Sequence, residues 1–98
     1  MAKIAWTAEA QRWLQEIYDY IAHDNPDAAH RTVSGIHQRA EVLSTFPEIG
    51  HRYREDRDVR VLLYGHYRIA SIVKSNRDVD ILGVFHGSLD VERYLGRS

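Results

Sequence analysis

The chain has 98 residues, of which 44% are hydrophobic and 28% charged, and its net charge is −1. That length allows one modest core but not two, and the mix of apolar and charged residues is that of a globular protein rather than a disordered one. No apolar run approaches the roughly 20 residues that cross a bilayer, MAKIAWTAEA lacks the apolar stretch of a secretory signal, and the absence of cysteine excludes disulfides and thiolate metal sites.

Lys3 to Trp6 reads as a short strand with Ile4 and Trp6 on one side. Thr7 is placed to cap a helix beginning at Ala8, because its hydroxyl can accept from the free N–H groups of a first turn. Ala10, Trp13, Leu14, Ile17 and Ile21 recur at three- and four-residue steps and so share one helical face. Asp24-Asn25-Pro26 ends this helix and begins another, with Asn25 as cap and Pro26 at the first helical position. In the second helix Ala29, Val33, Ile36, Ala40 and Leu43 form a narrow seam that suits an antiparallel helical partner. The short connection makes the two a helical hairpin. Pro47 stops the second helix, and an arginine-rich loop follows to about Asp58.

Three strands come next: Val59 to Tyr64, Tyr67 to Lys74 and Val79 to His86. A Gly65-His66 loop sets Tyr64 across from Tyr67 and Leu63 across from Arg68. An Asn76-Arg77 loop then sets Arg68 across from Phe85 and Tyr67 across from His86. Alternation puts Arg60, Tyr64, Tyr67 and His86 on one face and Arg68 on the other, and a one-residue change in the second loop would turn the last strand over. The order is β-α-α-β-β-β. The expectation is an α+β fold, one domain over residues 1–98, with the helical hairpin packed on a small antiparallel sheet.

Charge is unevenly placed. Residues 1–50 hold four cations against seven carboxylates, whereas residues 51–77 hold seven against three. The basic segment can face a nucleic acid or an acidic partner, or it can be a solvated loop.

His23, His30, His37, His51, His66 and His86 raise the question of a metal. His30 and His37 stand two helical turns apart, too far for one ion, and no HExxH pair exists, so neither metal nor other cofactor is expected. No serine stands in a nucleophile elbow and there is no glycine-rich phosphate loop. What remains is Arg60, Arg68, His86 and Tyr94, residue types able to cleave RNA without metal. Such a site needs one group to take the 2′-hydroxyl proton, another to protonate the leaving oxygen, and cations on the phosphate. The alternative is structural: tyrosines packing in strands, Arg68 bonded to a carbonyl or carboxylate, and His86 ending a strand.

Four segments, WTAEAQRWLQEIYDYIAHDNPDAA, LSTFPEIGHRYR, VRVLLYGHYRIASIV and ILGVFHGSLDVERYL, together resemble the ParE/RelE superfamily of bacterial type II toxins nearly end to end. The resemblance implies the β-α-α-β-β-β fold already read, an antitoxin partner in a hetero-oligomer, and a cytoplasmic bacterial setting with no membrane association. The superfamily has two activities. RelE-like members cleave mRNA on the ribosome, and ParE-like members inhibit DNA gyrase. Arg68 in GHYRI matches the sheet arginine of the RelE-like toxins. Gly87 stands where a second catalytic arginine or a His-Tyr ending would be, and the lysine-rich segment is replaced by arginines mixed with Glu55, Asp56 and Asp58. The helical hairpin, the FPxxG turn and the HGSLD ending look more like the ParE branch, which implies gyrase inhibition with Arg60, Arg68, His86, Asp90, Arg93 and Tyr94 as target contacts. The alternatives are a RelE-type endoribonuclease, with Arg60, Arg68, His86 and Tyr94 catalytic, and a non-toxic binding module.

Overall fold

The computed structural model describes residues 2–53 and 58–86. Strand β1, Ile4–Trp6, leads into helix α1, Ala8–Ala22. Thr7 works at this junction twice. Its Oγ1 accepts from the Ala10 N–H at 3.1 Å, which caps α1, and donates to the Ile81 carbonyl at 2.7 Å, which pins the cap to the sheet. Asn25 caps helix α2, Pro26–Ala40, accepting from the Ala28 N–H at 3.0 Å, with Pro26 in the first turn where a missing N–H costs nothing. The second helix is shorter than its seam suggests. After Ala40 the chain tightens into a 3₁₀ turn, Glu41–Ser44, which carries Leu43 into the core before Pro47.

Strand β2, His51–Arg52, lies in the segment expected to be loop; β3 (Val59–Tyr64), β4 (Tyr67–Val73) and β5 (Val79–His86) follow. The sheet order is β1-β5-β4-β3-β2. The expected antiparallel sheet is instead mixed, because β1 joins the edge of β5 in parallel, Ile4 opposite Val79 and Trp6 opposite Ile81. Only a crossover through both helices and the intervening strands could bring that pair together, and strand patterning is blind to it.

Gly65 takes a positive φ of 57°, and the β3–β4 register is the expected one, Tyr64 with Tyr67 and Leu63 with Arg68. The second hairpin reaches the expected pairing by another route. Its loop is Ser75–Arg77, not Asn76-Arg77. The Arg77 N–H bonds the Lys74 carbonyl at 2.9 Å, and Arg77 occupies the left-handed position usually given to glycine, φ 74°. The odd loop length would turn β5 over, but a bulge between the Ala70–Gly83 and Ser71–Ile81 pairs inserts Leu82 and restores the alternation. Arg68 therefore faces Phe85, and Tyr67 faces His86, as expected.

The main core lies between the helices and one sheet face: Leu14, Ile36, Leu43, Leu62, Ile69, Ile81 and Val84. Tyr64 packs against it and explains Gly35 in α2. A Cβ on Gly35 would overlap the Tyr64 hydroxyl and lie 2.6 Å from its Cζ. The other sheet face is apolar as well, with Val59, Val61, Ala70 and Phe85 buried. Among the described residues no helix is long and apolar enough to cross a membrane.

Candidate functional site

Alternation along β3, β4 and β5 decides where the candidate side chains point. Arg60 is on the helix-side face, and its side chain is only 15% exposed. Its Nη1 donates to the carbonyls of Glu48 at 3.2 Å and Gly50 at 3.3 Å, and its Nη2 lies 3.8 Å from Glu48 Oε2. Arg60 thus ties the Phe46–Gly50 turn to the sheet. The guanidinium expected to contact a target is held instead by a segment ten to twelve residues earlier.

Arg68 sits on the opposite face, flanked across the strands by Leu63 and Phe85. It is half-buried, and among the described residues it has no hydrogen-bond or ion-pair partner. Apolar neighbours raise the strength of any bond a guanidinium makes. A guanidinium in this position has the donors to meet a carboxylate or phosphate in bidentate geometry.

His86 is exposed at the end of β5, on the helix-side face. Its ring stands edge-on to Tyr67 at 5.4 Å between centroids, with the His66 ring 6.1 Å away. Burial pushes the Tyr67 phenol above its usual pKa, so at neutral pH it can donate a hydrogen bond but not act as a base. Tyr67 and His86 also form one wall of a groove of about 440 Å³ whose other wall is α1, with Trp13, Glu16, Ile17 and Tyr20. Tyr20 is 84% exposed. Sequence reading placed Trp13 and Ile17 on the buried face and passed over Tyr20. The spacing of Trp13, Ile17 and Tyr20 along one helical stripe was the available signal.

Metal-free RNA cleavage requires base, acid and cation to converge on one phosphate. Here Arg68 and His86 are on opposite faces of the sheet, and Arg60 is engaged with Glu48. The described residues therefore do not assemble the three into one site. Among them no three histidine, aspartate or glutamate side chains could hold one metal ion either. Asp90, Arg93 and Tyr94 lie outside the described residues.

Comparison with known proteins agrees with this fold. The family model described as ParE toxin of type II toxin–antitoxin system, parDE, matches residues 4–91. The Sinorhizobium fredii protein named "Putative toxin Y4kP" is 37% identical over 84 residues, covering 86% of each chain. A chain of the chromosomal ParDE toxin–antitoxin system from P. aeruginosa superposes with a TM-score of 0.76 at 25% identity, covering 90% of this chain and 98% of its own. A chain of the RelBE2 toxin–antitoxin complex from Mycobacterium tuberculosis gives 0.63 at 25% identity, covering 87% and 96%. With its β-α-α-β-β-β-β order, mixed sheet and family match over residues 4–91, the chain belongs to the ParE toxin family, within the ParE/RelE superfamily of type II toxin–antitoxin systems.

Proposed function

We propose that this ParE-family toxin arrests bacterial growth by inhibiting DNA gyrase, and that a cognate antitoxin holds it inactive in the cytoplasm. The observation that carries the choice of gyrase over message cleavage is the separation of Arg68 from His86 across the sheet. Arg68 then serves as a binding residue, a cation on an apolar face that grips an acidic group of the target. His86, with Tyr67 and the α1 groove, is a contact surface rather than an acid–base pair. Asp90, Arg93 and Tyr94 are further proposed contacts.

Expression of the chain alone should stop growth, and co-expression of the antitoxin should restore it. Purified chain added to gyrase should block supercoiling while message in a translating extract stays whole. Cut message with intact supercoiling would overturn the reading. Arg68→Ala should weaken inhibition roughly 10- to 100-fold, the loss of one charged hydrogen bond of about 1.5–3 kcal/mol. Its far-UV circular dichroism should be unchanged.

A further inference from the structure

The end of the sheet away from His86 holds a second set of charges that the gyrase reading leaves unused. Arg52, Arg60, Lys74 and Arg77 line one concavity of about 470 Å³, with Glu48 and Asp58 as its carboxylates. Glu48 is clasped from two sides. Its Oε1 lies 2.5 Å from Arg77 Nη1 in the β4–β5 loop, and its Oε2 lies 3.8 Å from Arg60 Nη2 in β3. A carboxylate between two guanidiniums marks a position that an oxyanion fits. Both Glu48 and Arg77 are about half exposed or more, 48% and 63%, so solvent and other anions can compete for the position. Arg60 Nε is buried out of reach of a ligand and its Nη1 holds the Glu48 and Gly50 carbonyls, so Arg60 fixes one side of the clasp while Arg77 is its exposed side. Beside the clasp, and sharing Glu48 and Arg77 with it, the Phe46–Ile49 turn exposes Phe46 at 56% and Ile49 at 49%.

We propose that this concavity binds the phosphodiester backbone of a nucleic acid, and that Glu48 occupies the phosphate position in the unbound protein. Arginines suit phosphate because their forked donors meet two oxygens at once, and Lys74 at the rim, paired with Asp80 at 3.4 Å and 46% exposed, can exchange that carboxylate for a neighbouring phosphate. The exposed Phe46 ring offers a face to a base or sugar, the combination that non-sequence-specific binders use. The cation excess is local, within a chain of net charge −1, so contact is weak unless a nucleic acid is already held nearby. The inference does not depend on which enzyme the toxin stops.

The test is titration of the full chain into a short fluorescent DNA duplex, read by anisotropy at two salt concentrations. Three neutralised phosphates give a log–log salt slope of about −2.7, a roughly 40-fold weakening between about 50 and 200 mM salt. Glu48→Gln opens the clasp and should bind several-fold more tightly. Arg60 also supports the fold, so the cations to remove are Arg77 and Lys74. Arg77→Gly accepts the positive φ without strain, and together with Lys74→Gln should reduce the slope to about −0.9. Circular dichroism of each variant confirms that the fold is retained. Equal duplex affinity in all three proteins, or tighter binding to an acidic peptide of matched charge, would overturn the proposal. So would inorganic phosphate that shifts the Arg77 side-chain NMR signals as strongly as duplex does at matched ionic strength.

Discussion

Replacing Gly35 with alanine separates intrinsic helix preference from packing. In a helix interior alanine is favoured over glycine by about 1 kcal/mol, so an open site would be stabilised. Here the new methyl would overlap the Tyr64 hydroxyl and stand 2.6 Å from Cζ, with Cε2 at 3.2 Å. Ordinary contact begins near 3.4 Å, so the ring must retreat by an ångström or more from the core it packs against. Such overpacking costs about 1–3 kcal/mol, which exceeds the gain in helix preference. Gly35→Ala should therefore destabilise the fold by roughly 1 kcal/mol, a fall in Tm of about 4–8 °C for a domain near 100 residues. Its sign should reverse once the ring is gone: in a Tyr64→Ala background the same change should stabilise by about 1 kcal/mol. The measurement is a double-mutant cycle by urea unfolding followed at 222 nm. If Gly35→Ala is stabilising with Tyr64 intact, or has the same effect in both backgrounds, the packing argument fails.

Thr7→Ala removes the cap of α1 and the bond to the Ile81 carbonyl together, and should cost about 1–2 kcal/mol in urea unfolding; Thr7→Ser should recover most of it. Burial raises the Tyr67 pKa, so the folded chain holds that proton after the unfolded chain has released it. Its effect on stability is constant below the ordinary tyrosine pKa near 10, and stability is lost as pH rises through the folded-state value. The native chain should thus fall away from Tyr67→Phe above about pH 10 in parallel unfolding curves, whereas superposable curves would show that the phenol is not desolvated.

Much of this protein was legible because it rests on local rules. Thr7 and Asn25-Pro26 are helix starts wherever they precede apolar periodicity, and both caps form as read. The Gly65-His66 loop fixes its own register over a few residues, so the pairing of Leu63 with Arg68 followed from the turn alone. Placement of Arg68 on one face and Tyr67 with His86 on the other followed from strand alternation. It survived a misread second loop only because the Leu82 bulge compensated for the extra loop residue.

Other features depend on groups far apart in the chain. Nothing near Ile4 states that it will lie parallel to Val79, and nothing near Arg60 states that the Glu48 and Gly50 carbonyls will claim its guanidinium. The groove between Trp13 and His86 joins residues more than seventy positions apart. By itself the sequence determined the helix starts, the β3–β4 hairpin and the alternation within each strand, because caps, turns and alternation act within a few residues. Only the tertiary structure decided which groups each charged side chain meets: Arg60 holds the Glu48 and Gly50 carbonyls, whereas Arg68 meets no hydrogen-bond or ion-pair partner among the described residues. A side chain's hydrogen bonds are set by whatever folding brings within about 3 Å of it, and sequence separation does not encode that distance.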